Sequence, residues 1–183
     1  VTAIVIDEAS NEVSANVNIV IDATVPVLVV TEPTASFTNL ETVTIAGTVQ
    51  DSNISRVEIN GAPADLQAGS FSLEVALNEG LNTFDIVAFD LANNSSSETK
   101  SLTKDTVAPQ FVEISPLDGT VVTEAEITVS GSVDELNLAS VQVNGTASVL
   151  TGNSFSLNLT LVDGPNVLNI VARDLAGNEV AQS

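Results

Sequence analysis

The sequence has 183 residues, with 24 acidic side chains against four Lys and Arg, and its formal net charge is −20. This charge excludes a protein that follows nucleic-acid phosphates, which requires a basic face, and it disfavours contact with an anionic membrane surface. The chain has no His and no Cys, which excludes Ser-His and Cys-His nucleophile pairs, a disulfide framework and the usual zinc and copper sites.

The chain repeats itself. The segment that starts at Val57 aligns without a gap with the segment that starts at Val141, at an offset of 141 − 57 = 84, and 18 of 38 positions are identical. An Asp-x-x-x-Pro segment at Asp22 recurs at Asp105, at an offset of 105 − 22 = 83. We therefore expect residues 1–21 to be the C-terminal strand(s) of a preceding repeat, with a strand near residues 15–21. Residues 22–104 are expected to be one repeat, and residues 105–183 a second repeat that lacks its last strand.

Short apolar or alternating runs, separated by turn signals roughly every ten residues, predict an all-β chain of tandem immunoglobulin-like β-sandwiches with about seven strands each. In the first repeat, the predicted strands cover residues 24–30, 42–49, 54–59, 62–67, 70–77, 81–89 and 96–104. In the second repeat, they cover residues 125–133, 138–143, 154–161 and 166–173. Asn60-Gly61 predicts a type I′ hairpin turn, because both central residues of that turn need a positive φ.

The alternation of large apolar residues predicts the core of each repeat. Phe71, Leu73, Val75 and Leu77 alternate along one predicted strand and should face one core. The second repeat has Phe155, Leu157, Leu159 and Leu161 at the equivalent positions. We expect Phe71, Phe84, Phe155 and Leu168 to centre the two cores and to serve packing rather than ligand stacking.

Acidic residues recur at one predicted end of each sandwich. Because the chain reverses at every turn, the linker before a repeat lies at the same end as the loops after its second and sixth strands. Three carboxylates at one end repel one another unless a cation lies among them, and calcium takes six to eight oxygen ligands. The recurrence favours metal binding over the alternative that these residues only cap turns. The residues are Asp22, Asp51, Asp90 and Asn94 in the first repeat, and Asp105, Asp134 (beside Glu135), Asp174 and Asn178 in the second.

The assembled motifs resemble those of a known family. They are the Asp-x-x-x-Pro linker, a V-x-(I/V)-N-G hairpin, a (G/N)-S-F-S-L strand and a closing V-A-x-D-L-A-(G/N)-N loop. This pattern is similar to the bacterial immunoglobulin-like tandem repeats of large extracellular adhesins, including calcium-dependent, cadherin-like arrays. The resemblance implies calcium at the junctions between repeats. The residues that it implies as ligands are Asp22, Asp90, Asn94, Asp105, Asp174 and Asn178, whereas Asp51 and Asp134 depend on the topology.

The resemblance implies a non-catalytic extender of a secreted or cell-surface adhesin, biofilm component or filament, whose partners are the neighbouring repeats. One alternative is a fibre subunit, in which the strand of residues 1–21 completes the second sandwich of another copy, giving a head-to-tail homo-assembly. Another is an accessory glycan-binding module of a secreted enzyme, although the chain has no Trp or Tyr for a sugar platform. We expect no catalysis, because the acids recur in both repeats and the hydroxyl residues have no base.

Overall fold

The computed structural model describes residues 1–183, and all of its helix or strand structure is β-strand. The strands form five sheets: one of two strands, three of four strands and one of five strands. The predicted all-β fold class is confirmed. No helix of the chain is long and apolar enough to cross a membrane.

The first sheet is an N-terminal hairpin. Strand β1, Thr2–Ile6, pairs antiparallel with β2, Glu12–Asn16, and Ile6 lies opposite Glu12. Every residue of both strands is exposed. The strand expected near residues 15–21 therefore begins and ends earlier, since residues 17–21 have no regular structure.

The first repeat contributes nine strands in two sheets, ordered β4-β11-β10-β6-β7 and β3-β5-β9-β8. Their bounds are Val27–Glu32 (β3), Phe37–Thr38 (β4), Thr42–Gln50 (β5), Ile54–Ile59 (β6), Ala62–Pro63 (β7), Asp65–Gln67 (β8), Ser70–Ala76 (β9), Gly80–Asp90 (β10) and Ser95–Lys104 (β11). The strand predicted over residues 62–67 is wrong as one element, because β7 pairs with β6 whereas β8 pairs with β9 in the other sheet. Asn60 and Gly61 have φ values of 49° and 79°, which confirms the type I′ turn.

The second repeat contributes eight strands in the sheets β12-β13-β17-β16 and β15-β14-β18-β19. Their bounds are Gln110–Ser115 (β12), Glu126–Asp134 (β13), Leu138–Val143 (β14), Thr146–Ala147 (β15), Val149–Thr151 (β16), Ser154–Thr160 (β17), Ile170–Asp174 (β18) and Glu179–Gln182 (β19). The last strand is therefore present over four residues, where β11 of the first repeat has ten. Strand β18 is shorter than the predicted 166–173, and it pairs with β19 from Ile170 onward.

The core of the second repeat draws side chains from both of its sheets. Its buried members are Val129, Val133, Val141, Val143, Phe155, Ile170 and Ala172, and Leu157, Leu159 and Leu168 pack against them. In the first repeat, Phe71 and Phe84 are buried as predicted. Gly131 lies opposite Phe155 in the ladder, and a Cβ added there would lie 2.6 Å from the Phe155 ring. A Cβ added to Gly47 would likewise lie 2.8 Å from the Phe71 ring.

The chain divides into two compact units, one of residues 1–31, 46–73 and 85–98 and the other of residues 32–45, 74–84 and 99–183. Each of the two carboxylate groups described below lies within one unit.

Candidate metal centres

Three carboxylates meet at one end of the first repeat. Asp22 lies in the linker before β3, Asp51 directly follows β5, and Asp90 ends β10. One oxygen from each carboxylate lies within 4.8 Å of those of the other two. Asp90 is only 2% exposed, and the other two are half-buried. The linker and both predicted loops thus converge.

Hydrogen bonds fix each carboxylate of this group. Asp90 accepts from the backbone N–H of Asn94 through Oδ1 and from the Asn94 side-chain amide through Oδ2, both at 2.7 Å. The same amide donates to the backbone carbonyl of Asp22 at 3.1 Å. Asp51 accepts from the backbone N–H of Asn53 at 2.7 Å. Asn94 therefore ties the linker to the loop that follows β10.

The environment of Asp22 stabilises its ionised form. Its Oδ1 accepts from the backbone N–H of Thr24 at 3.0 Å, and its Oδ2 accepts from the side-chain amide of Asn53 at 3.2 Å. These two hydrogen bonds, with the Thr24 bond the larger cause, hold the pKa of Asp22 below its ordinary value. Asp22 therefore stays ionised to a lower pH than an ordinary carboxyl group.

The second repeat repeats this arrangement with Asp105, Glu135 and Asp174, whose carboxylate oxygens also lie within 4.8 Å of one another. Glu135 is 8% exposed and Asp174 is 2% exposed. Asp174 accepts from the backbone N–H of Asn178 at 2.8 Å and from its side-chain amide at 2.7 Å. That amide also donates to the carbonyl of Asp105 at 2.8 Å.

Three of the predicted ligands, Asp134, Asn94 and Asn178, do not contribute a carboxylate to the two groups. Asp134 is exposed and lies outside the group, because it ends β13 and the next residue, Glu135, points into the site. The offset of 84 that relates the two repeats maps Asp51 onto Glu135, since 51 + 84 = 135, so the alignment itself contained the signal.

Asn94 and Asn178 lie beside the carboxylates as hydrogen-bond donors. Both were expected to supply ligand oxygens, but their amide nitrogens face the carboxylates and the linker carbonyl. The Oδ1 of Asn178 instead accepts from the side-chain amide of Asn39 at 3.1 Å. These two residues hold the carboxylates in place as hydrogen-bond donors.

The N-terminal hairpin carries a third copy of the same loop. Asp7 accepts from the backbone N–H of Asn11 at 2.8 Å and from its side-chain amide at 2.7 Å. The Asn11 side-chain bond is the main cause that lowers the pKa of Asp7. The register also recurs, because Ile6 faces Glu12 as Arg173 faces Glu179. These matches support the prediction that residues 1–21 correspond to the end of a repeat.

The chemistry of both groups suits a hard divalent cation. Every donor is a carboxylate oxygen, the ligand type that calcium prefers, and close carboxylates of low exposure repel one another without a cation. Three of the four basic side chains pair with acids outside the groups: Arg56 with Glu58, Lys104 with Glu41, and Arg173 with Glu179. The residues present therefore fit calcium.

A model of the family described as glucodextranase, domain B, matches this chain twice, over residues 26–106 and residues 109–183. The chain belongs to this family. Two copies of the glucodextranase B domain thus account for the two repeats found in the sequence.

The chain is similar to several proteins of known name or structure. Bacillopeptidase F of Bacillus subtilis (strain 168) is 31% identical over 163 residues, which cover 84% of this chain and 11% of that protein. The chain therefore spans about a ninth of the length of this relative. The fibronectin(III)-like modules of Clostridium thermocellum CbhA match with a TM-score of 0.58 and 13% identity, over 85% of this chain and 90% of theirs. A tetra-tandem repeat from the extending region of a large adhesion protein matches with a TM-score of 0.38 and 24% identity, over 99% of this chain and 54% of that one.

Proposed function

We propose that this chain is a non-catalytic spacer from a secreted or cell-surface protein, and that calcium at the start of each repeat fixes the linker to the sandwich that follows it. The observation that carries this proposal is the composition of each carboxylate group. One acid comes from the linker, Asp22 or Asp105, and the other two come from loops of the same repeat. A cation shared among them joins the linker to the sandwich, which limits bending at that point.

The proposal places the module outside the cell because the calcium sites that it invokes are expected to be weak. Weak extracellular calcium sites have Kd values of about 10⁻⁴ to 10⁻³ M. Such sites are filled in calcium-rich surroundings and empty at cytoplasmic calcium concentrations.

Thermal unfolding in calcium and in chelator tests this function. At about 10 mM calcium, each site should add roughly 1.4 to 2.7 kcal/mol to the free energy of unfolding. The matched variant Asp51→Asn with Glu135→Gln keeps an oxygen for the backbone hydrogen bond that each side chain accepts, but it removes one carboxylate from each group and should lose most of this gain. Identical melting curves of the unaltered chain in calcium and in chelator would end the calcium proposal.

An accessory module of a secreted enzyme is the second candidate, and the family match favours it. The family takes its name from a domain of glucodextranase, and bacillopeptidase F is named as a peptidase. In this role the module would bind glycan beside a catalytic domain. A glycan array separates the two candidates, because a spacer should give no signal above that of an unrelated acidic sandwich domain.

A further inference from the structure

The turn between β9 and β10 holds an acidic residue in a fixed place. Asn82 braces this turn, since its Oδ1 accepts from the backbone N–H of Asn78 at 3.0 Å and its amide donates to the carbonyls of Asn78 and Gly80 at 2.8 and 2.9 Å. Glu79 lies within the braced segment. Asn166 builds the same turn in the second repeat, where the acidic residue is Asp163.

Glu79 contacts the linker that leads into the second repeat. Its Oε1 accepts from the backbone N–H of Thr106 at 3.0 Å, and its Oε2 accepts from the Thr106 hydroxyl at 3.1 Å. Thr106 directly follows Asp105, the linker acid of the second carboxylate group. Because both oxygens of Glu79 are engaged by Thr106, Glu79 acts on the linker rather than as a member of the group.

A second contact from the first repeat also reaches the same group. Asn39, in the loop between β4 and β5, donates to Asn178 at 3.1 Å. Asn178 in turn donates to the carbonyl of Asp105 at 2.8 Å and to the Asp174 carboxylate at 2.7 Å. Both contacts therefore end on residues that hold Asp105.

We propose that Glu79 is a positioning residue for the second carboxylate group, so that a turn of one repeat presets the linker acid with which the next repeat binds calcium. This inference rests on the proposed calcium function. It makes calcium affinity at a junction depend on the repeat before it, which couples neighbouring repeats through the linker. The first linker has Ala23 in the place of Thr106, with no hydroxyl to donate. The first group thus serves as an internal control.

The experiment uses the 183-residue chain and two NMR readouts, amide exchange at Thr106 in chelator and calcium titration followed at each group separately. In Glu79→Ala, we expect the Thr106 amide to exchange about tenfold faster and calcium affinity at the second group to fall about three- to tenfold. Affinity at the first group should not change. Asp163→Asn, which alters the equivalent turn of the second repeat, should change neither readout.

Thr106→Val separates positioning from charge, because it removes the hydroxyl donor and leaves the charge of Glu79 in place. Positioning predicts about two- to threefold weaker calcium binding at the second group, since one hydrogen bond is lost. No effect of Thr106→Val, or equal weakening of both groups in Glu79→Ala, would overturn the proposal. The proposal would also be overturned if Glu79→Ala left the exchange of the Thr106 amide unchanged, or if it sped up that exchange without lowering calcium affinity at the second group. If the unaltered chain binds no calcium, the proposed function fails, and Thr106 exchange alone then shows whether Glu79 holds the linker.

Discussion

A few nearby hydrogen-bond donors stabilise the ionised form of individual carboxylates in this chain, and Asp22 is an example. Because the pKa of Asp22 is lowered in the folded chain, its contribution to stability is fully present above the ordinary carboxyl pKa. The contribution disappears as the pH falls through the lowered value. At neutral pH, Asp22 is ionised whether or not a cation is bound, so cation binding there releases no proton.

Replacing Asn53 by Ala should move the pKa of Asp22 back toward its ordinary value without reaching it. Asn53 supplies the second of two donors, and the larger effect, from the Thr24 backbone N–H, stays in place. An NMR titration of the Asp22 carboxyl carbon in chelator measures this shift. Asn137→Ala, at the equivalent position of the second repeat, is the control and should leave Asp22 unchanged.

Asp134 and Glu135 are adjacent acids, but only Glu135 belongs to the second carboxylate group, so they should differ in their effect on calcium binding. Glu135→Gln removes a carboxylate of the second group and should weaken calcium binding there by about tenfold or more, because calcium affinity follows the number of charged ligands. Asp134→Asn removes the same formal charge from an exposed position and should change the affinity by less than about twofold. Isothermal titration calorimetry of both variants decides, and equal losses would mean that the net charge, and not the group, attracts the cation.

The sequence could predict most of these residues but not all of their roles. Acids in the linker and in two loops were predictable, since strand order alone puts those segments at one end of a sandwich. The offset of 84 relates Asp51 to Glu135 rather than to Asp134, and neighbouring residues on an extended chain point in opposite directions, so a shift of one residue places the side chain outside the group. The donor role of Asn94 depends on which way an amide faces, which no spacing contains.

Among the secondary-structure elements, the bounds of several strands agree closely with the sequence-based prediction. Strands β5, β6, β10 and β11 lie within two residues of their predicted bounds. The division of residues 62–67 between two sheets was not predictable from periodicity, because a crossing between sheets at Ala64 leaves the alternation intact. The head-to-tail assembly stays a prediction, which sedimentation of the chain at rising concentration decides.

The close approach of Gly131 to β12 and to Phe155 predicts that a larger residue at this position destabilises the sandwich. A Cβ at Gly131 would lie 2.2 Å from the backbone carbonyl oxygen of Glu113 and 2.6 Å from the Phe155 ring, so the strand or the ring must move. We expect Gly131→Ala to cost about 2 kcal/mol or more in the free energy of unfolding, as overpacked cores do. Urea unfolding measures this cost, and Ser130→Ala in the same strand is the control, expected to stay within about 0.5 kcal/mol. A Gly131→Ala variant as stable as its control would contradict the packing described here.

At the scale of the whole molecule, the net charge of −20 has two separable effects. Charges spread over the surface repel one another over distances that salt screens, since the Debye length is about 10 Å at 0.1 M salt. Within each group, one oxygen from each carboxylate lies within 4.8 Å of the others, and the side chains are partly or fully buried, so monovalent salt screens their repulsion much less. An ion bound among them would relieve it.

Sodium chloride and calcium chloride at equal ionic strength should therefore act differently on the melting temperature. Sodium chloride should raise it gradually and to the same extent in the unaltered chain and in the Asp51→Asn, Glu135→Gln variant, because screening depends on charges throughout the surface. Calcium should add a further saturable rise in the unaltered chain alone, since a specific ligand stabilises the folded state according to its occupancy. Differential scanning calorimetry over both titrations makes the comparison. If calcium raised the melting temperature of both proteins equally and without saturation, the cation would act by screening, and the two carboxylate groups would have no part in stiffening the linkers.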